Sequence, residues 1–250
     1  MHCLILHANT LPGKAAVQAA LERKYNLIRV SRVSGSGHQP KNSFVLDTSD
    51  PKAVEDLAIR LEKDGLQIDC LVTCPAFNPK ECKEDTFRSF EDFESANWDK
   101  IIRENLNAQM LFCKFFGKEM RRRGRGRILQ LASNVALEPH APRQFAGVSS
   151  ELGSAHACAA YASAMGGVLS LTRFLAADYR DSGVLINSVV FGPLAEIESD
   201  AFLDSYKDRV PLGKAMTFED LKNILDVFLD PDSLYITGQN LIADGGVSIW

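Results

Sequence analysis

Short apolar runs alternate with longer stretches of helical periodicity along the whole 250-residue chain. Strands separated by helices of that length need crossover connections, so the alternation confines the chain to a parallel sheet with helices on both faces. Cys3–Ala8 reads as a buried strand and is followed by a helix to about Lys24. Leu27–Ser31 and Phe44–Leu46 read as the next strands, followed by a helix over about Pro51–Lys63 and a fourth strand, Ile68–Thr73. Trp98, Ile101, Ile102, Asn105, Ala108, Leu111, Phe112 and Phe115 recur at helical spacing, which predicts one long helix to about Arg122. Arg127–Ala132 and Val184–Val190 read as strands five and six, with a second long helix, Ala155–Tyr179, between them. A helix over Phe218–Leu229 and a strand over Gln239–Ala243 complete the pattern. With no repeat, low-complexity tract or linker, the expectation is an α/β, three-layer Rossmann fold: one domain, 1–250, with a doubly wound parallel sheet of seven strands.

Composition narrows the partners. A net charge of −4 argues against a nucleic acid or an anionic membrane, either of which needs a positive surface. The basic run Arg121–Arg127 is broken by Gly124 and Gly126, and reads as a helix end where arginines complement the dipole. No apolar stretch approaches the roughly 20 residues that span a bilayer, and the first residues lack a signal-peptide pattern, so a cytoplasmic protein is expected. The six cysteines (Cys3, Cys70, Cys74, Cys82, Cys113, Cys158) include the spacing Cys70-x3-Cys74-x7-Cys82, but no histidine lies at ligand spacing. They read as buried free thiols, with no metal site expected.

The carboxyl-terminal part carries a family resemblance. Arg209-Val-Pro-Leu-Gly-Lys214, Tyr235-Ile-Thr-Gly-Gln239 and Asp244-Gly-Gly246 resemble the end pattern of the short-chain dehydrogenase/reductase family, and the resemblance extends over nearly the whole chain. Val247-Ser-Ile-Trp250 and Leu171-Thr-Arg-Phe-Leu175 are similar to a branch found in bacterial flagellin-modification and surface-sugar gene clusters. The resemblance implies a catalytic serine at Ser133, a catalytic tyrosine at Tyr161 and the family's helix asparagine at Asn105. It also implies an adenine contact at Asp47 and a nicotinamide-side turn at Gly192. Arg32, at the end of the second strand, suits a 2′-phosphate if the cofactor is NADP; its plainer reading is a solvated strand end.

Departures from the family pattern concentrate at the cofactor. The lysine expected one helical turn after the tyrosine is Met165. The three-glycine turn after the first strand is His7-Ala-Asn-Thr-Leu-Pro-Gly13, in which only Gly13 survives. The family's Asn-Asn-Ala-Gly turn is Thr73-Cys-Pro-Ala76, and the proline of its later Pro-Gly pair is Phe191. In such a turn the first glycine makes the tight bend, the second lets the backbone approach the diphosphate, and the third lets the helix pack. Leu11 at the second position removes space there, although the helix N-terminus still offers N–H groups and leaves room for a weak anion site. An unperturbed tyrosine, with a pKa of about 10, is ionised to only about a thousandth at neutral pH. The family's lysine favours the phenolate, whereas a thioether cannot.

The expected dinucleotide half, about 1–130, is therefore degenerate, and the catalytic or substrate half is about 131–250. The expected cofactor is none or weak NAD(P). Ser133 and Tyr161 stand 28 positions apart, with a long loop between them in which His140, Arg143 and Gln144 read equally as substrate contacts or solvent-facing groups. Small residues on the second long helix (Ala157, Ala160, Ala164, Gly166, Gly167, Ser170) suit tight helix packing, and the apolar end, Ile249 and Trp250, is costly to leave in water; the resemblance implies that these surfaces build a homodimer or homotetramer. Three functions stay open: a pseudoenzyme or binding subunit, with an active relative as one candidate partner; a working oxidoreductase on a sugar or other carbonyl or alcohol; and a non-redox enzyme reusing the cleft.

Overall fold

The computed structural model describes residues 1–32, 40–76, 90–138, 159–230, 232 and 235–250. Seven parallel strands form one sheet in the order β3-β2-β1-β4-β5-β6-β7. They are β1 (His2–Leu6), β2 (Asn26–Ser31), β3 (Ser43–Val45), β4 (Ile68–Thr73), β5 (Gly126–Ser133), β6 (Val184–Phe191) and β7 (Asn240–Ala243). The helices are α1 (Leu11–Glu22), α2 (Pro51–Lys63), α3 (Ser95–Ile102), α4 (Ala108–Arg123), α5 (Ala159–Asp178), α6 (Asp200–Lys207) and α7 (Phe218–Leu229). The expected α/β fold with a doubly wound sheet is the observed one. Among the described residues no helix is long and apolar enough to cross a membrane.

Side-chain alternation in β1 builds both layers. Cys3 and Ile5 join the core beneath α1 and α7, with Ala15, Ala19, Leu221 and Leu225. Leu4 and Leu6 face the other way, into the core formed with α2 and α4 around Leu57, Phe112 and Met120. α5 seals the remaining part of that face over Ala132 and Val190 through Ala160, Ala164 and Val168. Arg23, at the end of α1, clasps Asp226 and Asp230 at 2.6 and 2.7 Å, fixing α1 to the end of α7.

Two features differ from the periodic reading. The single long helix expected from Trp98 to Arg122 is broken into α3 and α4 by a π-helical turn, Arg103–Asn107. A π turn inserts one residue without ending the helix, so the apolar spacing on either side still reads as continuous. α6 is a further element; its Phe202 and Tyr206 stack at 5.4 Å over a small satellite core with Val210 and Val247. The basic run does close a helix: α4 ends in Arg121, Arg122 and Arg123, with Gly124 in the left-handed region at φ 71°. Cys3, Cys70, Cys74 and Cys113 are buried free thiols, while Cys82 and Cys158 lie outside the described residues. The stretch before Ala159, where the second long helix was expected to begin, lies outside them too.

Phe112 is fully buried in the α2/α4 core and meets Phe116 at 5.6 Å between ring centroids. Phe112→Ala should lower the free energy of unfolding by about 3–5 kcal/mol, measured by urea denaturation, because the site cannot collapse between sheet and helix.

Candidate functional site

In an open α/β sheet, ligands bind beyond the carboxyl ends of the strands, where the strand order reverses. Here that reversal falls between β1 and β4. The chain leaves β1 through His7, whose φ of 55° lies in the left-handed region, and turns into α1. Thr10 caps the helix: its hydroxyl donates to the His7 carbonyl at 2.8 Å and accepts the Gly13 N–H at 3.2 Å. Pro12, in the first turn, has no N–H at all. The turn is so tight that a Cβ on Gly13 would lie 2.1 Å from the His7 carbonyl oxygen. That contact explains why the packing glycine is the one retained.

The His7 side chain points inward and is 1% exposed. Its Nδ1 lies 2.8 Å from the Cys74 carbonyl, just past β4, and its Nε2 lies 2.9 Å from the Thr48 hydroxyl, beyond β3. A carbonyl only accepts, so Nδ1 carries the proton and Nε2 accepts from Thr48 in the neutral ring. Burial, aided by the Arg32 cation and opposed by the Cys74 contact, lowers the His7 pKa to about 4.

Arg32 reaches across to Glu104, in the π turn, at 2.7 Å. This pair leaves Arg32 neither a simple solvated strand end nor an uncommitted phosphate ligand. Asp47 holds the Ser49 N–H and hydroxyl at 2.9 and 2.7 Å, which keeps its carboxyl below the usual range. Asn105, 1% exposed, accepts the Ala76 N–H at 3.0 Å and donates to the Ile101 carbonyl at 2.9 Å. It therefore ties the π turn to the chain leaving β4.

Ser133 ends β5 and caps a short 3-10 turn, Asn134–Ala136. Tyr161, 5% exposed, sits in the first turn of α5, and Met165, 0% exposed, follows one turn later. Both pack among Ile101, Ala132, Val135 and Val190, so the residues flanking Ser133 touch the same apolar cluster as the tyrosine. Lys14, a cation at the start of α1, is exposed. Gly192 follows β6, donates its N–H to the Ala243 carbonyl at 3.2 Å, and lines a pocket of about 410 Å³ with Tyr206, Met216, Ile224 and Asp244. His140, Arg143 and Gln144 lie outside the described residues.

The carboxyl edge thus forms two groups. His7, Gly13, Arg32, Asp47 and Asn105 gather around the reversal point, and Ser133, Tyr161 and Met165 around the α5 contact. Thr10, Thr48, Pro12 and Glu104 escaped the sequence reading as parts of the site. Thr-Leu-Pro-Gly is a recognisable helix start and announces Thr10 and Pro12. Nothing local announces Thr48 or Glu104.

The family model described as enoyl-(acyl carrier protein) reductase matches residues 16–248. The 2-dehydro-3-deoxy-D-gluconate 5-dehydrogenase of Bacillus subtilis is 27% identical over 82% of this chain and 74% of its own length. The gluconate 5-dehydrogenase of Gluconobacter oxydans is 26% identical over 83% and 75%. A short-chain dehydrogenase of Leptospira borgpetersenii, solved with bound NAD+, superimposes with a TM-score of 0.85 at 22% identity, covering 98% of this chain and 92% of that one. The chain belongs to the short-chain dehydrogenase/reductase family.

Between pH 6.5 and 4 the unfolded His7 takes up a proton that the folded ring refuses. Its contribution to stability is present above pH 6.5 and is lost as the pH falls through about 4, a decline of about 3 kcal/mol. Urea unfolding as a function of pH should show that slope in the wild type. His7→Asn, which tolerates the left-handed backbone and does not titrate, should flatten it.

Proposed function

We propose that this chain is a family member that has given up nicotinamide dinucleotide and acts as a binding or partner subunit, a pseudoenzyme on the reductase fold. The observation that carries the reading is the state of the α1 N-terminus. A diphosphate needs free N–H groups and close backbone approach there. Pro12 supplies no N–H, the Gly13 N–H is already held by Thr10, and the second glycine's position is taken by Leu11, whose partly buried side chain packs against the core beneath α1 and α7. The residues present do not fit the dinucleotide.

The other half of the site supports the same reading. Met165 fills the lysine's position with apolar volume and offers no charge to Tyr161. We divide the domain accordingly into a degenerate dinucleotide half, about 1–130, which keeps Asn105, and a half, about 131–250, in which Ser133 and Tyr161 persist. We take the partner to be a second copy of the chain or an active relative. Phe174, 67% exposed on α5, and the exposed Ile249 and Trp250 are apolar surface that such a partner would cover. A sedimentation profile that stays monomeric at micromolar protein, alone and with an active relative, would remove this element.

The alternative is an atypical but active NAD(P)-dependent oxidoreductase acting on a sugar or other carbonyl or alcohol. It is favoured by the relatives, which are named as sugar-acid dehydrogenases. Titration separates the two. With NAD(H) and NADP(H) at about 1 mM, the melting temperature of the chain should not move. Saturable binding at micromolar ligand, which would stabilise the fold by about 3–4 kcal/mol at that concentration, decides for the oxidoreductase. Met165→Lys alone should yield no dehydrogenase turnover, since it leaves the α1 turn as it is.

A further inference from the structure

The α1 turn explains a missing phosphate cradle, but it does not explain why a histidine stands at the first glycine position with its ring turned into the fold. A side chain at φ 55° is strained for most residues, and an outward, solvated ring would avoid burying two nitrogens. Instead both nitrogens are matched. The Cys74 carbonyl takes the Nδ1 proton at 2.8 Å, and the Thr48 hydroxyl reaches Nε2 at 2.9 Å. These partners lie beyond β4 and β3, on opposite sides of β2 and β1, so the ring lies over the reversal point of the sheet. Thr48 and Cys74 are themselves fully buried.

We propose that the His7 imidazole is a built-in ligand: it occupies the reversal-point crevice and satisfies a donor–acceptor pair there that is complementary to a small, planar nitrogen heterocycle. The site is thus self-occupied, not simply stripped. A heterocycle arriving from solution has to displace the ring, which breaks two buried hydrogen bonds and uncovers the Cys74 carbonyl. The Arg32–Glu104 pair, running from the end of β2 to the turn before α4, adds a second tie across the same edge. The inference goes beyond the loss of dinucleotide binding, because it assigns the crevice a ligand chemistry of its own. An occupant must offer one N–H and one bare ring nitrogen on opposite sides of a five-membered ring.

The test is chemical rescue in the full-length chain. His7→Gly suits the left-handed backbone and removes only the ring. At about pH 8, where imidazole is mainly neutral, the variant should melt below the wild type. Added imidazole should raise its midpoint saturably and leave the wild type unmoved. 1-Methylimidazole has lost the N–H, and should bind the variant about tenfold more weakly than imidazole does. Equal effects of imidazole on both proteins, or equal rescue by the two heterocycles, overturn the proposal. A reading independent of any variant comes from the 15N spectrum of the wild-type His7 ring. The Nδ1–H tautomer is expected at neutral pH, and the Nε2–H tautomer overturns the assignment even if His7→Gly fails to fold. Dinucleotide binding by the wild type would defeat the function proposed above and leave the rescue result standing, so the two failures are distinguishable.

Discussion

At the end of β1 the backbone folds back on itself so closely that the His7 carbonyl and Gly13 share space no side chain can enter. Much of the structure follows from that approach. It sets the angle at which α1 leaves the sheet and thereby lets Ala15, Ala16, Ala19 and Ala20 lie flat on Cys3 and Ile5. α7 then packs beside α1, and the Arg23 clasp on Asp226 and Asp230 fixes the pair. The same bend aims the His7 side chain into the crevice. Packing and site therefore depend on one turn, in which Gly13 holds the packing position.

The architecture was legible because it rests on local periodicity. Short apolar runs such as Cys3–Leu6 and Ile68–Thr73, with helix-length segments between strands, leave few topologies open, and the handedness of crossovers removes most of the rest. The π turn at Arg103–Asn107 was not legible, since one inserted residue leaves apolar spacing intact to either side. Yet that turn is what presents Asn105 to the Ala76 N–H and Glu104 to Arg32. Short α6 was hidden for a different reason: it buries chiefly Phe202 and Tyr206, too few apolar positions to establish a period.

The site was legible as a set of departures and not as a set of contacts. Comparing His7, Leu11 and Met165 with the family pattern shows that residues changed; it does not show where the new side chains go. The partners of His7 are 41 and 67 residues away in the chain, and Glu104 is 72 residues from Arg32. Such pairings are decided by the sheet order, which brings β3, β1 and β4 to one edge, and no motif encodes them. Arg32 illustrates the consequence. Read alone, it suggested a phosphate or solvent; in the fold its charge is met by a carboxylate of the chain itself.

A crevice built to receive a ligand normally leaves donors and acceptors waiting for it, and their burial without partners costs about 1–3 kcal/mol each. Along this edge the chain has supplied the partners. Thr10 takes the Gly13 N–H, Ser49 occupies Asp47, Asn105 holds Ala76, and His7 answers both Cys74 and Thr48. Of these residues only His7 departs from the family pattern, while Asp47 and Asn105 stand where the resemblance places family residues. The buried side chains among them, His7, Thr48 and Asn105, thus find their partners within the chain. The same architecture hosts many chemistries, so what this edge does is decided by the side chains that close it and not by the inherited sheet.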